Sequence, residues 1–247
     1  MWEIAAPSRA AESLLARRSG DSRGYHPVVA RLPAPRLLTF DIFGTVLDWR
    51  GGLSEAVRRH GLDLDERDFE RVIDRQAEEE AGTYRSYIEI AASSLIQTLR
   101  MPAAAARGIA ASAGTWPLFP DSADGLRSLM RIAPCVATTN SDLAHGKQVQ
   151  DQLGFRLSGW ICAEDLRCYK PAPEFWVAVG ARRRVPFGPH WWHVSAYADY
   201  DLEPAMRLGL TCVFVERPHS RWGPAAIRVP DLRALASVAA EAAASPP

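Results

Sequence analysis

The sequence predicts an α/β chain, a parallel sheet with helices on both faces and an all-helical insertion after the first strand. Three observations predict it. Short, continuous apolar runs recur in the second half of the chain, as expected of strands buried on both faces. Stretches with helical spacing separate those runs. Residues from about 52 to 114 carry helical spacing throughout, so the first strand stands apart from the others.

Regular structure begins at Arg36. Leu37-Leu38-Thr39-Phe40-Asp41 is an apolar, β-compatible run that ends in a carboxylate, and Gly44-Thr45 supplies turn chemistry. Leu53, Ala56, Val57 and His60 then keep the i, i+3, i+4, i+7 spacing of a helix face. Residues 63–80 hold nine acids and three arginines. Phe69, Val72, Ile73 and Ala77 still form an apolar stripe there, so the charge reads as a solvated helix face. Ile88, Ala91, Ala92, Leu95, Ile96 and Leu99 predict the next helix, and the Ala-rich stretch 103–112 predicts another. After Trp116-Pro117-Leu118-Phe119-Pro120 the pattern changes. Strands are predicted at Cys135–Thr139, Gly159–Cys162, Trp192–Ser195 and Leu210–Val215, with helices at about 122–132, 143–153, 173–182 and 202–208. Gly209 fits a left-handed cap. Asp231 fits the N-cap of a final helix, whose Ala-rich tail, 239–247, is expected to fray. Trp160, Trp191 and Trp192 read as packing residues, and His193 as a satisfied structural histidine.

Composition bounds the function. The 29 basic and 29 acidic residues cancel, which gives no global pull toward nucleic acid or an anionic membrane. No run of about 18 apolar residues exists to span a bilayer. Residues 1–36 carry six arginines against three acids, and read as a partly ordered extension rather than a transit segment. Cys135, Cys162, Cys168 and Cys212 are scattered without a CxxC pair, so neither a disulfide framework nor a zinc site is expected. A cytoplasmic location is the expectation.

Ligands gather at the carboxyl ends of strands in open α/β sheets. Asp41 ends the first strand, and Thr139 and Asn140 end the second. Lys170 lies in the loop Arg167-Cys168-Tyr169-Lys170-Pro171 after the third. Ser195 closes the fourth, with Asp201 six residues on. Each alone has an ordinary reading as a cap, a turn former or a solvated charge. The ordered set, each member after a strand, is hard to obtain by chance.

Three stretches carry a family resemblance: Phe40-Asp41-Ile42-Phe43-Gly44-Thr45-Val46-Leu47-Asp48-Trp49-Arg50, then Thr139-Asn140 with Tyr169-Lys170-Pro171-Ala172-Pro173, then His193-Val194 with Asp201-Leu202-Glu203-Pro204-Ala205. In this order they resemble the haloacid dehalogenase superfamily, and most closely its L-2-haloacid dehalogenase group. The resemblance implies a Rossmann-like core of residues 36–51 and 115–247, a helical cap domain of 52–114, and an N-terminal extension of 1–35. It implies hydrolytic dehalogenation of a small 2-haloalkanoic acid, with Asp41 as nucleophile and an aspartyl-ester intermediate. Lys170 would keep Asp41 ionised. Thr45 and Thr139 would hydrogen-bond the carboxylate oxygens or the substrate's acid group, and Asn140 would orient substrate or halide. The backbone N–H groups of Ile42 and Phe43 would bind a substrate carboxylate, Ser195 would close the substrate side of the fourth strand, and Asp201 would orient Lys170 or the hydrolytic water.

The chain also departs from its relatives. Phosphatases of the superfamily carry a second Asp where Phe43 stands, and commonly a Gly-Asp pair where Ser195-Ala196 stands. Asp41 and Asp201 alone make a thin Mg²⁺ site, so a hydrolase without metal or cofactor is expected. The dehalogenases hold the leaving halide with a cap arginine, for which Arg75 and Arg85 are the candidates here. Arg75 also fits an i+4 partner of Glu79. Trp176 stands where the dehalogenases often have Tyr, and Tyr197 is placed to line the pocket. The expected partner is a small anionic substrate, with neither nucleic acid nor membrane, and a homodimer is an open expectation. Two alternatives stay open: a phosphatase or phosphotransferase, and a catalytically idle relative that binds a ligand or partner.

Overall fold

A computed structural model describes residues 32–244. The extension expected over 1–35 therefore lies almost wholly outside the described residues, as does the end of the tail, 245–247.

The elements follow in chain order: β1 (Leu37–Phe40), α1 (Trp49–Arg58), α2 (Glu66–Glu80), α3 (Tyr87–Leu99), α4 (Ala103–Ala111) and a 3₁₀ turn (Ala113–Thr115). Next come α5 (Ser122–Met130), β2 (Cys135–Thr139), α6 (Leu143–Leu153), β3 (Gly159–Cys162), α7 (Ala163–Leu166) and α8 (Pro173–Arg183). The chain continues through β4 (Trp191–Ser195), a π turn (Ala198–Leu202), α9 (Glu203–Arg207), β5 (Thr211–Val215), β6 (Ile227–Val229) and α10 (Leu232–Ala244). The strands form one sheet in the order β3-β2-β1-β4-β5-β6, with every pairing parallel. This is the Rossmann-like α/β arrangement, and its strand order reverses at β1, beside β4.

Alternation along the strands explains why both faces are covered. Leu38, Phe40, Cys135, Ala137, Trp192, Val194, Val213 and Val215 point into one core, shared with α5 and α10. Leu37, Val136, Trp191, Cys212 and Phe214 point into a second core, shared with α8 and α9. A period of two thus puts apolar side chains on both sides, which is why the strands read as continuous runs.

Local chemistry sets the helix starts. Asp48 accepts from Gly51 N at 2.9 Å and Asp65 from Asp68 N at 2.7 Å, capping α1 and α2. Ser86 and Glu89 form a capping box on α3. Asp231 accepts from Ala234 N at 2.7 Å at the start of α10.

Several expectations change. α10 does not fray at 239 but runs to Ala244, because Ala239 and Ala242 are buried and alanine resists fraying best. The helix expected at 202–208 is preceded by the π turn, which swings Asp201 inward. β6 and α7 have three and four residues, too few for a periodic signal, and were not anticipated. All four cysteines are free thiols.

One brace fixes the turn after β1. Arg217, just past β5, pairs both guanidinium nitrogens with Asp121, at 2.8 and 2.9 Å. Its Nε donates to the carbonyl of Thr45 at 2.9 Å, and Asp121 also accepts from Leu232 N at 2.8 Å. Burial alone would raise the Asp121 pKa, but Arg217 and the Leu232 N–H outweigh it and lower the carboxyl below its ordinary value. Both side chains are nearly buried, so removing one partner strands the other charge. Asp121→Ala is therefore expected to cost roughly 3–5 kcal/mol in urea unfolding at neutral pH. The pair's contribution is present at neutral pH and is lost as pH falls through the lowered carboxyl value. A loss below about 1 kcal/mol, the size seen for exposed pairs, would show that the brace carries no load.

Candidate active site

Asp41 follows β1 directly and is tied to the neighbouring strand by its N–H, which donates to Val194 O at 2.9 Å. The chain then turns sharply. Gly44 takes φ +90°, and a Cβ there would run into the Tyr197 hydroxyl, so the turn needs glycine on both counts. The N–H groups of Gly44, Thr45, Val46 and Leu47 are taken up inside the turn. Those of Ile42 and Phe43 have no acceptor among the described residues, which leaves two adjacent donors beside Asp41.

The turn brings Thr45 back onto the carboxylate. Its Oγ1 donates to Asp41 Oδ2 at 2.8 Å and accepts from Ala196 N at 3.0 Å. Lys170 Nζ reaches the other oxygen, Oδ1, at 3.1 Å, and Asp201 Oδ2 at 2.8 Å. The lysine side chain is fully buried and carries its charge between two carboxylates. Asp201 Oδ1 lies 3.0 Å from His193 Nε2, and His193 Nδ1 lies 2.9 Å from Thr39 Oγ1. His193 is thus buried in the core with its Nδ1 on Thr39, while its Nε2 lies within ion-pair distance of a carboxylate of the site without forming a hydrogen bond to it.

The electrostatics are those of one cation shared by two anions. Burial raises the Asp41 pKa; Lys170 opposes this and the Asp201 charge adds to it, so the carboxyl stays above its ordinary value. Asp201 shifts the other way: burial alone would raise it, but Lys170 and His193 prevail and hold it well below the carboxylate range. Burial alone would lower Lys170, and the two carboxylates outweigh that and raise it. Lys170 thus pulls Asp41 toward its ionised form, as expected, but does not outweigh burial together with the Asp201 charge. Its charge is committed more closely to Asp201.

The pair opens onto a cavity of about 450 Å³, bounded on the far side by residues of α1, α2 and α3. Of the residues singled out in the sequence, Asp41, Phe43, Thr139, Asn140, Lys170 and Tyr197 line it. Thr45 and Asp201 stand behind the lining and touch it only through Asp41 and Lys170. Asp201 is fully buried, so it faces Lys170 rather than a water in the cavity.

Four expectations are corrected. Arg75 pairs with Glu78 at 2.8 Å and Glu79 at 3.1 Å, and Arg85 with Glu79 at 2.6 Å; neither lines the cavity. Helical spacing sets Glu79 one turn from Arg75, which satisfies both arginines away from the site. Trp176 is fully buried and stacks edge-on to His193, with ring centres 4.7 Å apart, instead of meeting a substrate. Ser195 is buried and accepts from Tyr197 N at 3.1 Å, so it shapes the turn after β4 rather than the cavity. Asn140 spends its amide internally: it donates to Lys170 O at 2.9 Å and Glu80 Oε2 at 2.9 Å, and accepts from Lys170 N at 2.7 Å. It fixes the lysine loop from the cavity lining.

Sequence reasoning missed part of the lining. Arg167, three residues before Lys170, lays its guanidinium over the Tyr84 ring at 4.0 Å and pairs with no carboxylate among the described residues. Arg221 also reaches the cavity, but Glu70 and Asp199 hold it. Trp49, Tyr84, Tyr87, Tyr169 and Tyr200 give the walls their aromatic character. Glu80 lies in the same lining. Arg167 stood in a loop already marked by Lys170, a usable signal; the aromatics are spread over 151 positions, from Trp49 to Tyr200, and had none.

The donor set does not fit a divalent metal. Among the described residues no group of three or more His, Cys, Asp or Glu could hold one. Asp41 and Asp201 already share an ammonium. Among the described residues no helix is long and apolar enough to cross a membrane.

Comparison with known proteins bears on the family and the fold. A family model described as haloacid dehalogenase-like hydrolase matches residues 35–186. No curated protein matches the sequence. Among solved structures, a defluorinating L-2-haloacid dehalogenase is 23% identical with a TM-score of 0.71, covering 82% of this chain and 94% of that one. An L-2-haloacid dehalogenase from Xanthobacter autotrophicus is 17% identical with a TM-score of 0.72, covering 83% and 98%. A HAD-hydrolase from Bacillus subtilis, bound to magnesium, is 15% identical with a TM-score of 0.69, covering 84% and 99%. At these identities the structural likeness speaks for the fold. The family match spans more than half the sequence and includes both Asp41 and Lys170, and on that ground the chain belongs to the haloacid dehalogenase-like hydrolases.

Proposed function

We propose that this hydrolase displaces halide from a small 2-halo acid through an ester on Asp41. The observation that carries the reading is the buried Asp41–Lys170 pair, locked by Thr45 and placed at the edge of an aromatic cavity beside two backbone N–H groups that have no acceptor among the described residues. A carboxylate is a weak nucleophile, and fixing both its oxygens removes the freedom it would otherwise lose on attack. The substrate carboxylate sits on the N–H groups of Ile42 and Phe43, with Arg167 as the second attraction for an anion. An Asp41 oxygen attacks Cα from the side opposite the halogen, and the carbon–halogen bond breaks with its electron pair leaving on the halide. Water then attacks the ester carbonyl, restoring Asp41 and releasing the 2-hydroxy acid. Lys170 holds the carboxylate during both steps, and Asp201 positions Lys170. Residues 52–114 act as the cap that excludes bulk water, with residues 36–51 and 115–247 as the core. The defluorinating and Xanthobacter autotrophicus dehalogenases share this fold, which supports the reaction class. A phosphoryl-transfer reading would need a metal donor set, and Phe43 stands where a second acid would serve.

The deciding experiment incubates the full chain with 2-fluoro-, 2-chloro- and 2-bromoalkanoic acids without added metal and measures halide. Halide release is expected, with an adduct on the Asp41 peptide in mass spectrometry. Asp41→Asn is expected to lower turnover by roughly 10,000-fold or more. Release of phosphate from an aryl phosphate with Mg²⁺, and of no halide, would sink the proposal.

The shared lysine also sets a pH dependence. Burial and then the Asp201 charge hold Asp41 up, so turnover falls on the acid side above the usual carboxylate range. Asp201→Asn removes a like charge and lets Asp41 ionise at lower pH. The acid limb of kcat/KM is expected to move to lower pH. Carbon-detected NMR titration of the Asp41 carboxyl should move the same way, and an upward or absent shift would show that Asp201 does not act through charge.

A further inference from the structure

α2 ends on three consecutive glutamates that part ways. Glu78 and Glu79 are spent on Arg75 and Arg85 outside the cavity. Glu80, the last residue of the helix, turns into the cavity lining with Asp41 and Lys170. Its Oε2 accepts from Asn140 Nδ2 at 2.9 Å, and the same amide grips both backbone groups of Lys170. One side chain thus fixes Glu80 relative to the Asp41–Lys170 pair. Among the described residues no basic side chain forms an ion pair with Glu80. The titratable groups that face it are Asp41 and Lys170 from the sheet side, and the phenols of Tyr87, Tyr169 and Tyr200 around the wall. Tyr87 comes from α3, Tyr169 from the lysine loop and Tyr200 from the π turn.

Two arguments give Glu80 a proton at neutral pH. Burial pushes its carboxyl up to about 8; the Asn140 bond and Lys170 pull it down less, and Asp41 adds to the rise. Charge balance says the same. Ionised, Glu80 would add a third carboxylate beside the ammonium that Asp41 and Asp201 already share, in a cavity that must admit an anion and whose other cations, Arg167 and Arg221, form no ion pair with Glu80 among the described residues. Neutral, it keeps an acidic O–H available in an aromatic enclosure, where a hydrogen bond is stronger than in water. The two cap arginines that could have steadied a departing anion are elsewhere; of the α2 side chains in the lining, Gln76 is held by Ser94 and Tyr87, and Glu80 is the carboxyl α2 presents to the cavity.

We propose that Glu80 is the acid that protonates the departing group as Asp41 displaces it, and that it biases the enzyme toward basic leaving groups, fluoride above all among the halides. This rests on the nucleophilic role of Asp41 proposed above. In the first step the Asp41 oxygen–carbon bond forms and the carbon–halogen bond breaks. The halogen leaves with the electron pair and takes the Glu80 proton, giving HX and a Glu80 carboxylate. In the second step water cleaves the ester to the 2-hydroxy acid and a protonated Asp41. That proton passes to Glu80, and both groups return to their starting forms. The sum is R–X plus water giving R–OH plus HX. Bromide is too weak a base to gain much from the proton. Fluoride is the most basic halide and breaks the strongest bond to carbon, so it gains most.

The test compares fluoride and bromide release from matched 2-halo acids by the wild-type chain and by Glu80→Gln. Glutamine keeps the size, neutrality and Asn140 contact but has no proton to give. The fluoride-to-bromide ratio of kcat is expected to fall by about 100-fold or more, the scale of general acid catalysis, with KM for both substrates close to wild type. In the wild type, fluoride release should decline as pH rises through about 8, and that limb should vanish in Glu80→Gln. Equal losses on both halides, or no loss on either, overturn the proposal, as does a wild type that releases bromide but no fluoride; dehalogenation then still stands. A wild type that releases no halide overturns both readings.

Discussion

A charge cannot be buried without a partner, and the ammonium of Lys170 is fully buried. Everything near the site answers that constraint. Two carboxylates from different strand ends converge on the ammonium, and each needs further support. Asp41 receives Thr45, and Asp201 receives His193, which leans in turn on Thr39. Asn140 pins the lysine loop by both backbone groups. The Arg217–Asp121 brace grips the carbonyl of Thr45 from outside, so the hydroxyl that orients Asp41 is itself held from a third strand end. Asp41 is thus fixed by parts that follow β1, β2, β3, β4 and β5.

The helical insertion supplies what the sheet cannot, which is an apolar, aromatic enclosure. It is anchored by Asp142, which accepts from Tyr87 N at 3.0 Å and Ile88 N at 2.9 Å and so caps α3 from the sheet side. Tyr169 adds a second tie through its hydroxyl to Arg85 O at 2.9 Å. Those ties place Trp49, Tyr84 and Tyr87 over the strand ends. They also determine that α2 delivers a glutamate, and not an arginine, to the cavity.

Much of this was legible beforehand. Continuous apolar runs predict strands buried on both faces, and α6, β2 and β3 begin and end where the runs do. Asp41, Thr45 and Lys170 were legible because they sit in short stretches whose order along the chain matches the order of strand ends. Arg75 and Arg85 were misplaced because a helix pattern gives faces, not partners. Glu79, seven-hundredths exposed, takes both. Glu80 was lost inside an acidic run that looked uniformly solvated.

The sequence by itself determined the sheet, the insertion, and the identity of the residues at the strand ends. Those follow from periodicity and local turn chemistry, which are properties of neighbouring residues. Only the tertiary structure decided how charge is shared. Lys170 lies 129 positions from Asp41 and 31 from Asp201, and Glu80 meets Asn140 across 60. Which carboxylates share the ammonium, and in which direction each carboxyl is shifted, depends on burial and on distances of a few ångströms between such remote residues, because desolvation and Coulomb energy act through space and leave no period in the chain.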